Sequence, residues 1–255
     1  MLKIINYIRR FGIKATFVKT YSSLFFIFFS NFILSEDKSK GLDTFKDEES
    51  KNLKSLDTDL MPADYAKYVK GQIDTSLRRS IYINPARKLI HTRDKLIQHL
   101  VHYSKDWQIK TDEVLSIGCR DDRELDGINL LLPNSSITGL DLFSASDRII
   151  AGDMHAMPFD NERFDISVSI HSMEHSYDPN KSLKEIHRVT KVGGLICIEV
   201  PIRYSVTEID RQNFESIEKL ISFFPENSID IIFSELESRL KVGKSPTLRC
   251  ILRRV

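Results

Sequence analysis

The chain has 255 residues, 41% of them hydrophobic and 29% charged, with 37 Lys+Arg against 36 Asp+Glu and a formal net charge of +1. This composition fits one globular domain with an appendage and excludes a polytopic membrane protein, a collagen-like fibre and a wholly disordered chain. The balanced charge gives no reason to expect nucleic acid as a partner, and three cysteines in strand-like surroundings (Cys119, Cys197 and Cys250) point to a reducing compartment, not a disulfide scaffold.

Residues 1–35 carry Lys3, Arg9, Arg10, Lys14 and Lys19 and no acid. Ile4, Ile8, Phe11, Ala15 and Val18 recur at helical spacing, which predicts a basic amphipathic helix over residues 2–19. An apolar run of eleven residues follows at 24–34, short of the roughly 20 that cross a bilayer. An in-plane membrane helix leads the readings of this segment. A signal peptide or anchor lacks a small-residue cleavage site, and a helix pair packed on the protein body is the third alternative. The first reading predicts peripheral membrane contact and a cytoplasmic protein at the inner face of a membrane. Residues 36–61 alternate in charge and are poor in apolar side chains, so they read as a disordered linker. Residues 62–110 form a helical lead-in, with Leu89, Leu96, Leu100 and Tyr103 along one face. Its histidines, His91, His99 and His102, read as surface or half-buried residues, not metal ligands.

From 111 to 255 strand-length apolar runs alternate with helical stretches. Strands are expected at 114–118, 136–141, 148–153, 164–170 and 195–200. Helices are expected at 122–132 and 180–190, and a turn at Val192-Gly193-Gly194. This alternation predicts an α/β fold with a parallel sheet covered by helices on both faces. Two further strands, at 228–233 and 247–252, have no clear helix between them and are expected to pair antiparallel.

Ligands of such sheets sit beyond the carboxyl ends of the strands. Three ends are distinctive here. Gly118 lets the backbone approach a ligand closely. Asp141, 23 residues further on, offers an acceptor-only carboxylate suited to the two hydroxyls of a ribose. Asp153 can accept a proton from an exocyclic amine such as that of adenine. One glycine and two acids in order on successive strands describe a nucleoside pocket.

The segments Gly152-Asp153-Met154-His155-Ala156-Met157-Pro158-Phe159, Phe164-Asp165, Glu174-His175, Asp178-Pro179, Glu185-Ile186-His187-Arg188-Val189 and Val192-Gly193-Gly194 resemble the central block of class I S-adenosylmethionine-dependent methyltransferases. The nearest subgroup is the type 11 methyltransferases, and the resemblance covers residues 112–201. It implies a Rossmann-like seven-stranded sheet with the last strand antiparallel. It also implies S-adenosylmethionine as cofactor, held by Gly118, Cys119 and Arg120 on the first loop, by Asp141 and Leu142 at the second strand end, and by Asp153 and Met154 at the third. His171, after the fourth strand, would face the reacting centre. An imidazole with an unperturbed pKa near 6.5 there is the best-placed candidate for a general base, ahead of Glu174 and His175; the alternative is that His171 lines the cofactor site or caps the next helix. The acceptor would be a small molecule or a glycan- or lipid-linked group.

Two features depart from the family pattern. The first loop keeps only Gly118 of its usual glycines, with Arg120 and Asp122 at the other two places; Arg120 is suited to pair with the cofactor carboxylate. Residues 142–147 are too few for the usual crossover helix. Three rivals follow. A nicotinamide-dependent oxidoreductase lacks its Gly-x-Gly-x-x-Gly. A zinc hydrolase is suggested by the H-x-x-E-H match at residues 171–175, which needs one continuous helix to hold a metal; no metal is expected. The non-enzyme rival is a methyltransferase-like scaffold that no longer binds cofactor.

Overall fold

A computed structural model describes residues 54–59, 61–81, 94–144, 146–237 and 245–255. The basic segment 1–35 and residues 36–53 of the expected linker lie outside the described residues, as do Leu89, Ile90 and His91. In chain order the elements are β1 (Lys54–Ser55), α1 (Ala63–Ile81), α2 (Asp94–Asp106), β2 (Glu113–Ile117), α3 (Asp122–Leu131), β3 (Ser136–Asp141), β4 (Phe143–Ser144), β5 (Ile149–Ala151) and β6 (Phe164–Ile170). After β6 come a 3₁₀ turn at Met173–His175, α4 (Pro179–Val189), β7 (Thr190–Pro201), α5 (Ile217–Ile221), β8 (Ile229–Glu237) and β9 (Thr247–Arg254). Among the described residues no helix is long and apolar enough to cross a membrane.

Seven strands form the main sheet in the order β5-β3-β2-β6-β7-β9-β8. Those from β5 to β7 are parallel, and β9 runs antiparallel to both its neighbours. From β2 the chain moves outward to β3 and β5, then returns to the other side of β2 for β6. The order therefore reverses between β2 and β6, and the crevice at their carboxyl ends is the ligand position that such topology creates.

Period-two alternation builds the two cores. On one face Leu115, Ile117, Phe164, Ile196, Ile198 and Val200 pack with Leu183, Ile186 and Val189 of α4. On the other, Val114, Ile166, Val168, Ile170, Leu195 and Cys197 pack with Leu96, Ile97 and Leu100 of α2 and Ile128 of α3. Asp178 caps α4 by accepting from the N–H groups of Asn180 and Lys181, and Pro179 supplies the first turn, where its missing N–H costs nothing.

Three local readings change. The turn expected at 192–194 is a bulge inside β7. Phe164 pairs with Thr190 and Ile166 with Leu195, so β7 advances five residues while β6 advances two, leaving three extra. Gly193, at φ +80°, lies in that bulge. The linker to residue 61 is not disordered at its end: β1 pairs antiparallel with β4, and the Leu56 N–H donates to Leu142 O at 2.9 Å. The short connection after β3 thus holds a strand, and the linker's backbone satisfies its edge. The strand expected to end at 233 runs on to Glu237, because β9 offers it partners as far as Thr247.

Candidate active site

The β2 end turns on Gly118, whose φ is +73° and whose N–H donates to Leu140 O at 2.7 Å. A Cβ at this position would overlap the side chain of Ser172, so only glycine fits. Arg120 takes φ +65°, a left-handed conformation that a glycine adopts freely and an arginine holds at a cost. Its N–H donates to Asp141 Oδ2 at 2.8 Å. Asp122, at the place of the third family glycine, opens α3, and Asp121 caps that helix through the Arg123 N–H.

Asp141 ends β3. Its second oxygen accepts from the Leu142 N–H at 2.8 Å. Burial pushes its carboxyl up to about 6, against the opposing pull of the two backbone N–H groups. Gly118, Arg120, Asp141, Leu142, Met154 and His171 line one cleft. Cys119 and Asp153 are not in its lining. The Cys119 side chain is buried under the loop with Leu125 and Ile149.

Asp153 has its donors within the protein. Oδ2 accepts from the Tyr65 hydroxyl at 2.6 Å, and Oδ1 from the His155 N–H at 2.9 Å and from His155 Nδ1 at 2.6 Å. His155 Nε2 accepts from the N–H groups of Tyr177 and Asp178, which places the ring proton on Nδ1, facing Asp153. Burial raises the Asp153 pKa, but the bonds from His155 and Tyr65 outweigh it and hold the group below its ordinary value. The carboxylate expected to meet an adenine amine is therefore already engaged.

Helix α1 supplies residues the sequence reading missed. Tyr68, Gln72 and Ser76 line the cleft opposite the strand ends. Their spacing of four, with Tyr65 three residues earlier, puts polar side chains on one helical face, and that was the available signal. Gln72 Nε2 donates to Ile209 O at 2.9 Å, tying α1 to the loop after β7. The Arg211 guanidinium of that loop lies 4.9 Å from the ring centres of both Tyr68 and Tyr177.

His171 follows β6 at φ +52° and donates its N–H to Glu199 O. Its Nε2 lies 3.1 Å from Glu199 Oε1 and its Nδ1 3.6 Å from Glu174 Oε1. Burial pulls its pKa down, but the two carboxylates outweigh it and hold it at about 9. The sequence expectation of an unperturbed imidazole near 6.5 is corrected: at neutral pH His171 already carries its proton, which does not suit a general base. Glu199 also forms a buried ion pair with Arg249. The H-x-x-E-H residues span a strand-end turn and a 3₁₀ turn, not one helix. His175, on the 3₁₀ turn, also lines the cleft, and its Nδ1 lies 3.0 Å from Asp210 Oδ1.

Comparison with known proteins meets this geometry at the strands that build the cleft. Residues 115–198 match the methyltransferase domain family. Over 102 residues the chain is 32% identical to sterol 4-C-methyltransferase strm-1 of Caenorhabditis elegans, covering 38% of this chain and 30% of that protein. Over 109 residues it is 28% identical to malonyl-[acyl-carrier protein] O-methyltransferase of Salmonella typhimurium, covering 38% and 43%. The chain spans less than half the length of these curated relatives. Among solved structures it resembles 1,6-didemethyltoxoflavin-N1-methyltransferase of Burkholderia thailandensis, with a TM-score of 0.56 and 16% identity over 80% of this chain and 95% of that one. That crystal contains 1,6-didemethyltoxoflavin and S-adenosylhomocysteine. At this identity the likeness is one of fold.

The methyltransferase domain match ends at residue 198. Tyr68, Gln72, Asp210 and Arg249 thus lie outside it, yet each contributes to the cleft or to the charges behind it. Those charges carry a pH signature. His171 is held at about 9 in the folded protein against 6.5 unperturbed. Its stabilising contribution is complete below about pH 6.5 and is lost as pH rises through about 9. Urea unfolding is expected to show a stability loss of about 3 kcal/mol between these limits. His171→Gln is expected to flatten that slope.

Proposed function

We propose that this chain transfers a methyl group from S-adenosylmethionine to a small-molecule, glycan-linked or lipid-linked acceptor. The observation that carries the reading is Asp141 at the end of β3, buried beside Gly118, whose missing Cβ lets Ser172 pack against the first loop at the sheet's switch point. A carboxylate pushed up to about 6 by burial gains from hydroxyl donors, and a ribose supplies two. When bound, S-adenosylmethionine supplies a methyl carbon already activated by its sulfonium.

The chain's own residues then align the reactants. Asp141 holds the ribose hydroxyls. Gly118 and Arg120 present the first loop to the methionine end, with Arg120 facing its carboxylate. Leu142 and Met154 flank the base. Tyr68, Gln72 and Ser76 close the cleft from α1, on the side left for an acceptor. Incubating the full chain with methyl-labelled cofactor and fractionated cell extract tests the activity. Label in a discrete product supports it; label in none, at concentrations where cofactor binds, speaks against it.

One observation favours the second reading, a methyltransferase-like scaffold. Asp153 is occupied by Tyr65 and His155, so the base would have to share Oδ2 with Tyr65 or rely on the backbone near Met154. Absence of binding at millimolar S-adenosylmethionine is the result that this reading predicts.

A further inference from the structure

We propose that His175, oriented by Asp210, is the group that takes the proton from the methyl acceptor. The proposal rests on the reading of the cleft as an S-adenosylmethionine site. Among the described residues three histidines stand at this end of the sheet, and their partners set them apart. His171 has carboxylates near both ring nitrogens, Glu199 at 3.1 Å and Glu174 at 3.6 Å, and they hold it protonated at neutral pH. His155 has its Nε2 filled by the N–H groups of Tyr177 and Asp178. His175 differs from both. Its Nδ1 faces two acceptors, Asp210 Oδ1 at 3.0 Å and Ile209 O at 3.2 Å, so the ring proton belongs on Nδ1. That leaves Nε2 as an acceptor, and among the described residues no hydrogen bond engages it. His175 lines the same cleft as Gly118 and Asp141.

The backbone that carries the orienting carboxylate is braced. The Asp210 N–H donates to Thr207 Oγ1 at 2.8 Å, and the Thr207 N–H donates back to Asp210 O at 2.9 Å. Ile209 O also accepts from Gln72 of α1, and the Gln212 N–H donates to Glu174 O at 2.9 Å. The loop is therefore pinned both to α1 and to the 3₁₀ turn that carries His175. A histidine with its Nδ1–H held by a backbone carbonyl beside a carboxylate is the arrangement that suits an imidazole to accept a proton at Nε2 and to be stabilised once charged.

The step balances without a further reactant. The acceptor atom uses its lone pair to bond the methyl carbon, the carbon–sulfur bond breaks, and its electron pair stays on sulfur as a thioether. The acceptor's proton passes to His175 Nε2 and then to solvent, while Asp210 keeps its charge. Such a base is of use only where the reacting atom carries a proton at neutral pH. The acceptor is thus an alcohol, a phenol, or an ammonium group that gives its proton to His175 before its nitrogen lone pair attacks, and not a carboxylate.

The test uses the full chain with methyl-labelled cofactor and extract fractions, alongside calorimetric titration with S-adenosylhomocysteine. His175→Ala is expected to lower transfer about a hundredfold or more while S-adenosylhomocysteine affinity stays within about twofold, and free imidazole is expected to restore part of the rate. Asp210 on the loop faces His175, Glu174 precedes it in the chain, and His171 and Tyr68 line the same cleft. Asp210→Asn is expected to lower transfer while S-adenosylhomocysteine affinity stays within about twofold, because the imidazole loses the carboxylate that orients it. Transfer by His175→Ala at the wild-type rate would overturn the proposal. So would a loss of affinity that matches the loss of rate and is not rescued by imidazole. Wild-type protein that binds S-adenosylhomocysteine but labels only carboxylates, or nothing, also overturns it and leaves the cofactor reading standing. Wild-type protein that binds no S-adenosylhomocysteine overturns the reading beneath it.

Discussion

Arg249→Met is expected to destabilise the fold by about 3–5 kcal/mol in urea unfolding at pH 7. Arg249 is 1% exposed and faces Glu199 directly across β7 and β9 in a buried ion pair. It also stands opposite Glu235 in the pairing of β9 with β8, and its Nη1 lies 2.6 Å from Glu237 Oε2. Removing the guanidinium leaves the fully buried Glu199 with His171 as its remaining charged partner, an arrangement far costlier than an exposed broken pair. The second variant separates this cause from simple loss of packing. Glu199→Gln combined with Arg249→Met removes both charges, so it is expected to recover most of the loss and to reduce the fall in stability between about pH 6.5 and 9. Equal instability of the single and double variants would assign the effect to volume instead.

Asp141→Ala is expected to weaken S-adenosylhomocysteine binding by about 3 kcal/mol, or about 150-fold. The substitution removes the ribose acceptor and also releases the N–H groups of Arg120 and Leu142, which the carboxylate now holds at 2.8 Å each. Arg120 sits at φ +65°, so the loop loses the bond that fixes a strained residue. Calorimetry reads the affinity, and unfolding in the absence of ligand shows how much of the change belongs to the loop. An affinity unchanged within about twofold would remove Asp141 from the site.

Much of the scaffold was legible in the sequence because it depends on short-range pattern. Residues 136–141 and 164–170 form strands over those limits, since each is an apolar run bounded by turn residues and each pairs in parallel with its neighbours. The missing crossover helix after β3 was legible by length alone. What escaped depends on partners distant in the chain. Asp153 is 88 residues from Tyr65, and no local pattern states that α1 brings a phenol to it. His171 looks like any imidazole until the register of β7 and β9 sets Glu199 and Arg249 behind it. His175 and Asp210 lie 35 residues apart in the sequence and meet only because the loop after β7 folds back onto the 3₁₀ turn. The bulge in β7 was misread as a turn because glycines mark both, and only the paired strand tells them apart.

The central claim is that the cleft at the β2–β6 switch point holds S-adenosylmethionine. Calorimetric titration of the purified full chain with S-adenosylhomocysteine tests it most directly. One saturable site per chain, weakened by Asp141→Ala, is the predicted result. No binding at millimolar ligand by a chain that is folded in the same buffer would contradict it.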